Sequence, residues 1–321
     1  ETALELEAYD LMLRFHQGKQ EINPQLALII VSEADIQELG RWPLSDELLA
    51  ETLDKLQAHG PAVVGVDIYR DIPVPPGSER LGGVLSGFPN IIMIDKFGDD
   101  ASPGVAAPAL LRGTDQVGFS DILVDSDGVV RRGLLFLDDG VMVSYSLSLR
   151  MALHYLRSMG IVPRPGKPDA THLRLGDVTL RPFESNDGGY INADAAGYQV
   201  LLDYRGGSQP FPVYSLGELR AGDIPADDLT GRVVILGVAA DSVKDYFLTP
   251  YRRGMDAISG VPGSVIHAHV ASQLLRAAID GEKPLAVLDD AMEHAWTLLW
   301  TAAGVIPVSY THLRAHETTS H

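Results

Sequence analysis

The first hydrophobic pattern along the chain is helical. Leu4, Ala8, Leu11 and Phe15 recur at helical intervals with acidic residues between them, which predicts a short amphipathic lead-in helix over residues 1–16. The pattern then becomes a continuous apolar run, Leu26-Ala27-Leu28-Ile29-Ile30-Val31, as expected of a strand covered on both faces. Ser45 can cap a following helix with Asp46 and Glu47 in its first turn, Leu48, Leu49, Leu53 and Leu56 on its inner face, and Gly60 at its end. A second buried-type strand, Ala62-Val63-Val64-Gly65-Val66-Asp67, comes next, so residues 26–67 predict a β-α-β unit with parallel strands and a right-handed crossover. Ile91-Ile92-Met93-Ile94 adds a third strand. The stretch before it, with Pro73, Pro75, Pro76, Gly77, Gly82 and Gly83, reads as a loop with one helical turn.

The middle of the chain changes style. Asp127-Gly128 and Asp139-Gly140 flank the run Val129 to Leu137, and Asn186-Asp187-Gly188-Gly189 lies further on, which predicts antiparallel hairpins. Between them Val143 to Met159 reads as a helix stopped by Gly160 and Pro163. Gln199 to Tyr204 and Arg232 to Gly237 return to the buried-strand pattern, and Val265 to Asp280 predicts a further helix ending at Gly281. The expected fold is α/β: a mainly parallel sheet with flanking helices and β-hairpin insertions, in a single large domain. There is no internal repeat and no low-complexity linker.

Composition narrows the function. With 43 acidic against 25 basic residues the formal charge is −18, which repels phosphate backbones, so nucleic acid is not an expected partner. The absence of cysteine removes disulfide scaffolds, thiol catalysis and thiolate zinc sites. No charged segment followed by an apolar one opens the chain, so Glu1 is expected not to be the natural start of a secreted protein. Gly160 and Gly166-Lys167 do not form a phosphate loop: Pro163 and Pro165 remove amide donors, and Pro168 stands where a magnesium-binding hydroxyl is required. Asp125-Ser126-Asp127-Gly128 resembles the start of a calcium loop but lacks the remaining ligands, and reads as a hairpin turn. Hydrolase elbows, zincin helices and dinucleotide fingerprints are absent, so no cofactor, metal or catalytic residue is called for.

The order of motifs resembles that of the CHASE type 2 (CHASE2) family of sensory domains. The resemblance rests on Leu28-Ile29-Ile30-Val31, Leu39-Gly40-Arg41-Trp42-Pro43, Val64-Gly65-Val66-Asp67-Ile68, Asp127-Gly128-Val129-Val130-Arg131-Arg132 and Tyr204-Arg205-Gly206. It continues through Gly231 to Gly237, Asp245, Thr249-Pro250 and Val261-Pro262-Gly263-Ser264-Val265-Ile266-His267-Ala268-His269. Ser45-Asp46 departs from the pattern, where the family would have a proline and an arginine. The resemblance implies a membrane-anchored bacterial receptor with this sensor outside the cytoplasm, in the periplasm or at the cell surface. Further membrane helices and a cytoplasmic adenylate cyclase, histidine kinase, other kinase or phosphatase output would follow. It also implies a small-molecule or protein ligand and homodimer signalling.

On this reading residues 1–25 are a lead-in helix from a membrane anchor and 26–284 the sensor. Residues 285–307 are then a juxtamembrane segment or the start of a truncated transmembrane helix, and 308–321 a non-native tail resembling translated adaptor sequence. Ala295 to Ile306 is apolar, but only 12 residues precede Pro307, whereas a membrane span takes about 20. Trp296 and Trp300 fit a membrane interface. An ordinary amphipathic helix with Asp289, Asp290, Glu293 and His294 on its wet side fits equally.

A parallel sheet gathers ligands at the C-terminal ends of its strands. The candidates there are Ser32, Glu33, Asp35, Asp67 and Asp95, joined by Ala239, Asp241, Lys244 and Asp245 if the strands are neighbours. Asp67, Asp245 and Thr249 fall in stretches that carry the resemblance. Such acids could bind a cationic metabolite or a cation, or could instead cap helices and loop amides. Arg41 and Trp42 could present a cation and an aromatic face to a ligand, or Trp42 could pack over the helix start. His267 and His269 stand two apart on a predicted helix and so cannot share one metal ion. Against the sensor stand two other readings: an extracytoplasmic metal-dependent hydrolase using the strand-end carboxylates, and a protein-interaction domain.

Overall fold

The computed structural model describes residues 3–15, 23–98, 103–205, 211–251, 260–288 and 290–318. Its frame is a six-stranded, all-parallel sheet. Strands β1 (Leu26–Ser32), β2 (Val63–Val66), β3 (Ile91–Asp95) and β4 (Val117–Phe119) run outward in one direction. Later in the chain β11 (Val213–Ser215) adds to the far edge, and β12 (Val233–Ala239) inserts between β1 and β2, giving the order β11-β1-β12-β2-β3-β4. The predicted β-α-β unit is therefore present, but its two strands are second neighbours. The central pair runs in continuous register from Leu26 opposite Val233 to Ser32 opposite Ala239.

Alternate residues of these strands enter opposite layers, which is why their sequences read as unbroken apolar runs. Ala27, Ile29, Val31, Val64, Val66, Val234 and Leu236 face α3 (Asp46–Ala58), α4 (Ser78–Gly87) and α6 (Leu216–Ala221). Leu26, Leu28, Ile30, Val63, Ile92, Val233 and Ile235 face α5 (Leu147–Ser158) and α7 (Gly263–Leu275). Two glycines let that second layer approach closely. A Cβ on Gly65 would overlap Met151 of α5, and one on Gly237 would overlap Ser264 of α7. Nearly all of α7 is buried, so it shows no polar stripe.

The remaining strands are antiparallel. β5 (Arg132–Asp138) pairs with β6 (Val143–Tyr145) across the Asp139-Gly140 turn and on its other edge with β10 (Tyr198–Leu201). The run beginning at Gln199 thus joins this second sheet, not the parallel one. Strands β7 (Arg164–Pro165), β8 (Leu173–Leu175) and β9 (Val178–Leu180) form a third small sheet, and β13 (Tyr246–Phe247) pairs with β14 (Val261–Pro262).

Three boundaries differ from expectation. The segment expected to hold one helical turn contains the ten-residue α4, because burial of Leu81, Val84 and Leu85 on one face outweighs the poor helix propensity of Gly82 and Gly83. The helix expected from Val143 starts at Leu147, capped by the Ser146 hydroxyl, and Val143–Tyr145 is strand. At the chain's end α8 (Asp290–Thr318) continues through Pro307, and no helix among the described residues is long and apolar enough to cross a membrane. The lead-in helix α1 (Ala3–Phe15) forms as expected, with a different docking face: Leu6, Asp10 and Leu13 are buried while Leu11 and Phe15 are exposed.

Candidate functional site

Because the large sheet is parallel, the C-terminal ends of its strands share one edge. Asp67 directly follows β2, Asp95 ends β3, and Ser120 and Asp121 follow β4. Insertion of β12 beside β2 brings its following loop, with Asp245, to the same edge. Local bonds fix each position. The Asp67 amide donates to the Leu236 carbonyl at 2.8 Å, and the Ser120 amide donates to the Asp95 carbonyl at 3.0 Å. The Phe97 amide donates to Asp121 Oδ2 at 3.0 Å. The Tyr69 and Ser120 hydroxyls lie 2.8 Å apart. The first turn of α7 closes the group: the Gly263 amide donates to the Asp245 carbonyl at 3.2 Å. A side chain on Gly263 would start 2.6 Å from Asp245 Oδ2, so the glycine makes room for that carboxylate. One turn further along α7, His267 lies buried, with Ser148 Oγ 3.1 Å from its Nδ1 and 3.1 Å from its carbonyl.

The electrostatics of the group are set first by desolvation, which the weaker pull of Lys96 and Arg150 does not offset. Asp67 retains a little solvent contact, yet the protein around it pushes its pKa up to about 7, by desolvation. Asp245 is pushed up to about 6, by desolvation and then by the Asp67 charge, with His267 and the Gly263 amide opposing. Asp95 is raised by burial and by the neighbouring Asp121. Asp121 is raised by burial against the pull of the Phe97 amide and Lys96. Tyr69 is pushed up to about 12, first by desolvation and further by the charges of Asp67, Asp121 and Asp245. His267 is held down at about 4 by burial, so it is neutral at ordinary pH. Among the described residues no Lys or Arg forms an ion pair with Asp67, Asp95, Asp121 or Asp245, and no three His, Asp or Glu side chains are placed to hold a metal ion.

A second set of buried acids has the opposite character. Arg131 is wholly buried, and donates through Nε and Nη2 to both oxygens of Asp10 on α1 at 2.7 and 2.8 Å. It also reaches Asp125 at 2.8 Å and Asp127 at 2.8 Å. Arg132 takes the other Asp125 oxygen at 2.8 Å and lies 4.9 Å from the ring centres of both Phe183 and Tyr190. Burial opposes the Arg131 charge, but the bonds from Asp10, Asp127 and Asp125 outweigh it and raise its pKa above the ordinary value. The turn that supplies Asp125 and Asp127 is a tight one, as expected, with Gly128 at φ 82° and its amide donating to the Asp125 carbonyl at 2.8 Å.

The family model described as the CHASE2 domain matches residues 1–306. The chain belongs to the CHASE2 family. CHASE2 domains are extracytoplasmic sensory modules of signalling receptors and are not themselves catalytic. No curated protein and no solved structure matches the chain.

Within this CHASE2 domain the residues expected at the strand ends divide into two groups. Asp67 and Asp245 come together, close enough to feel each other's charge, while Asp95 ends β3 on the same sheet edge and feels the charge of Asp121. Asp35 instead completes the capping box of α2 (Glu33–Leu39). Its Oδ2 accepts from the Ser32 amide at 2.8 Å and hydroxyl at 2.6 Å, and its Oδ1 accepts from the Gly217 amide at 3.0 Å. Glu33 accepts the Ser242 amide at 3.0 Å, which lowers its pKa, and so joins the start of α2 to the loop after β12. Arg41 is exposed and reaches the Pro75 carbonyl at 3.3 Å, while Trp42 packs against the α3 side of the sheet. Thr249 is buried beside Leu248, at 3 % exposure. Asp241 and Lys244 are exposed. The histidines separate as helical spacing predicts. His267 turns to the acidic group, whereas His269 packs between Tyr204 and Phe211 at ring distances of 4.8 and 5.1 Å.

Tyr69, Ser120, Asp121 and the Arg131 network did not emerge as site residues from the sequence. Asp121 lies just past β4, a three-residue strand too short for a periodic signal. The pairing of Asp10 with Arg131 spans 121 positions and has no local signature.

Proposed function

We propose that this chain is the extracytoplasmic ligand-sensing domain of a membrane-bound signalling receptor. The strand-end group of Asp67, Asp95, Asp121 and Asp245 receives a small cationic, hydrogen-bond-donating molecule, and binding is passed to a cytoplasmic cyclase or kinase output. Membership of a sensory family supports the role. The observation that carries the site is the gathering of four carboxylates on adjoining elements with no Lys or Arg in ion-pair contact among the described residues. An amine or guanidinium entering there supplies the missing counter-charge, and the neutral His267, Tyr69 and Ser120 offer further polar contacts. Because Asp67 and Asp245 hold protons up to near-neutral pH, cation binding releases protons. To signal, the molecule must bind two states of the domain unequally, since equal binding shifts nothing.

The test is the melting temperature of the full chain at pH 7.5 against putrescine, spermidine, arginine, lysine and divalent metal ions. A ligand at one hundred times its Kd adds about 2.7 kcal/mol of stability. The expected result is a rise with an organic cation that is lost in both Asp67→Asn and Asp245→Asn. No rise with any organic cation, or a rise that both variants retain, overturns the site.

A further inference from the structure

We propose that the segment from Asp245 to Tyr251 is a strap that couples the strand-end site to the lead-in helix α1, so that a change at Asp245 alters how firmly α1 is docked. The inference rests on the reading of the strand-end group as the sensing site, and it adds the route by which the site reaches the edge of the domain.

The strap is tied at three places along seven residues, a span of at most about 25 Å. At its start Asp245 belongs to the acidic group, and its carbonyl accepts the Gly263 amide of α7. Tyr246 and Phe247 then pair with Pro262 and Val261, which holds this part of the strap against the beginning of α7. In the middle, Leu248 forms a parallel bridge with Val129, and its carbonyl accepts the Val130 amide at 2.9 Å. The next residue along is Arg131, which grips both carboxylate oxygens of Asp10 on α1. At the end of the strap the Tyr251 hydroxyl lies 3.0 Å from the Leu13 carbonyl of α1 and 3.2 Å from the Tyr204 carbonyl, placed to donate to either. Tyr204 returns to the same stretch of chain by donating its hydroxyl to the Val130 carbonyl at 2.9 Å.

Helix α1 therefore has one polar tie made by the strap itself and another made one residue from where the strap pairs. Its apolar hold comes from Leu6, Leu13 and the partly buried Tyr9. Leu6 and Leu13 are buried, but Leu11, Met12 and Phe15 are 48 %, 70 % and 81 % exposed. A helix attached by few apolar contacts sits at the low-stability end of a fold, where a modest shift in a tie changes its opening equilibrium. Adjacency along a route does not establish coupling, whereas non-additivity between two of its ends does.

The experiment is amide hydrogen exchange of α1 in the full chain, in the parent, Asp245→Asn, Tyr251→Phe and the double variant, with protection of β1 and β12 as the check that the core is intact. Tyr251→Phe keeps the ring and removes only the hydroxyl tie, and is expected to speed α1 exchange severalfold. Asp245→Asn is expected to change α1 exchange by threefold or more in the parent and by much less when Tyr251 is already Phe. Equal effects of Asp245→Asn in both backgrounds, or no effect on α1 in either, overturn the strap. The measurement needs no ligand, so the two readings fail separately. A cation panel without response removes the site assignment while non-additivity keeps the strap, and additive exchange removes the strap while a cation response keeps the site.

Discussion

Two acidic groups of this domain, one with a buried centre and one half-buried, show what a counter-charge does. Around Arg131 the carboxylates of Asp10, Asp125 and Asp127 share a guanidinium at 2.7–2.8 Å, and a second guanidinium, that of Arg132, takes the remaining Asp125 oxygen. Burial there binds two distant segments, α1 and the stretch from Asp125 to Arg132, into one unit. At the strand ends Asp67 and Asp245 are desolvated beside each other and beside a neutral histidine, and burial raises their pKa values. One arrangement is closed, with its charges satisfied from within. The other is open, its electrostatic demand left for something outside the chain to meet. Burial alone therefore does not mark a functional acid; its pairing state does.

The largest effect is expected from breaking the closed group. Arg131→Met leaves Asp10 and Asp125 buried without their main partner, and should cost about 3–5 kcal/mol in chemical denaturation. A loss below about 1 kcal/mol would mean that the network adds little to the fold. The open group should respond in the opposite direction. Asp67→Asn removes a charge that the folded chain disfavours, and should raise stability by about 1–2 kcal/mol at pH 8, a figure reduced from the full pKa shift because Asp67 retains some solvent contact.

The sign of that change with pH sharpens the comparison. Asp67 ionises near pH 7 when folded against an ordinary 3.8, so the native chain holds the extra proton between those values and stability falls as pH rises through them. Asp245 acts the same way up to about pH 6. His267 and His269, held at about 4 and about 3 against 6.5, act oppositely: their contribution is present above about pH 6.5 and is lost as pH falls. Below pH 6.5 the terms oppose one another, so the difference between Asp67→Asn and the parent, followed from pH 5 to pH 8, isolates the carboxylate. It should grow with pH up to about pH 7 and then level off, and a difference that stays flat throughout would place Asp67 among ordinary solvated acids.

The smallest effect tests an acid that sequence reasoning placed at the site and the structure places in a cap. Asp35→Ala should cost about 1 kcal/mol through loss of the capping box of α2, and should leave any cation response untouched. Loss of that response in Asp35→Ala would return this residue to the site.

What could be read in advance differed by element for a physical reason. Strands β1 and β12 lie between two helical layers, so every residue but the terminal Ser32 is apolar and the run is plain. Helix α3 carries its own start signal in Ser45 and its own stop at Gly60. Helix α4 was obscured because its glycines argue against helix, while its reason for forming, the burial of Leu81, Val84 and Leu85, lies in other elements. In α1 the periodic residues Leu11 and Phe15 announced the helix but not its docking face, which Leu6, Leu13 and the Asp10–Arg131 pair decide.

By itself the sequence determined the apolar runs, the caps, the turn glycines and the order of motifs, because each depends on neighbours a few positions apart. That was enough for an α/β sensor of the CHASE2 family with acids at its strand ends. Tertiary structure alone decided that β12 enters between β1 and β2, and so brings Asp245 to Asp67. It also decided that the second Asp35 oxygen accepts the Gly217 amide, and that Arg131 takes Asp10 from across the chain. Whether a carboxylate is open or closed depends on which distant groups folding carries to it, and no local pattern encodes that.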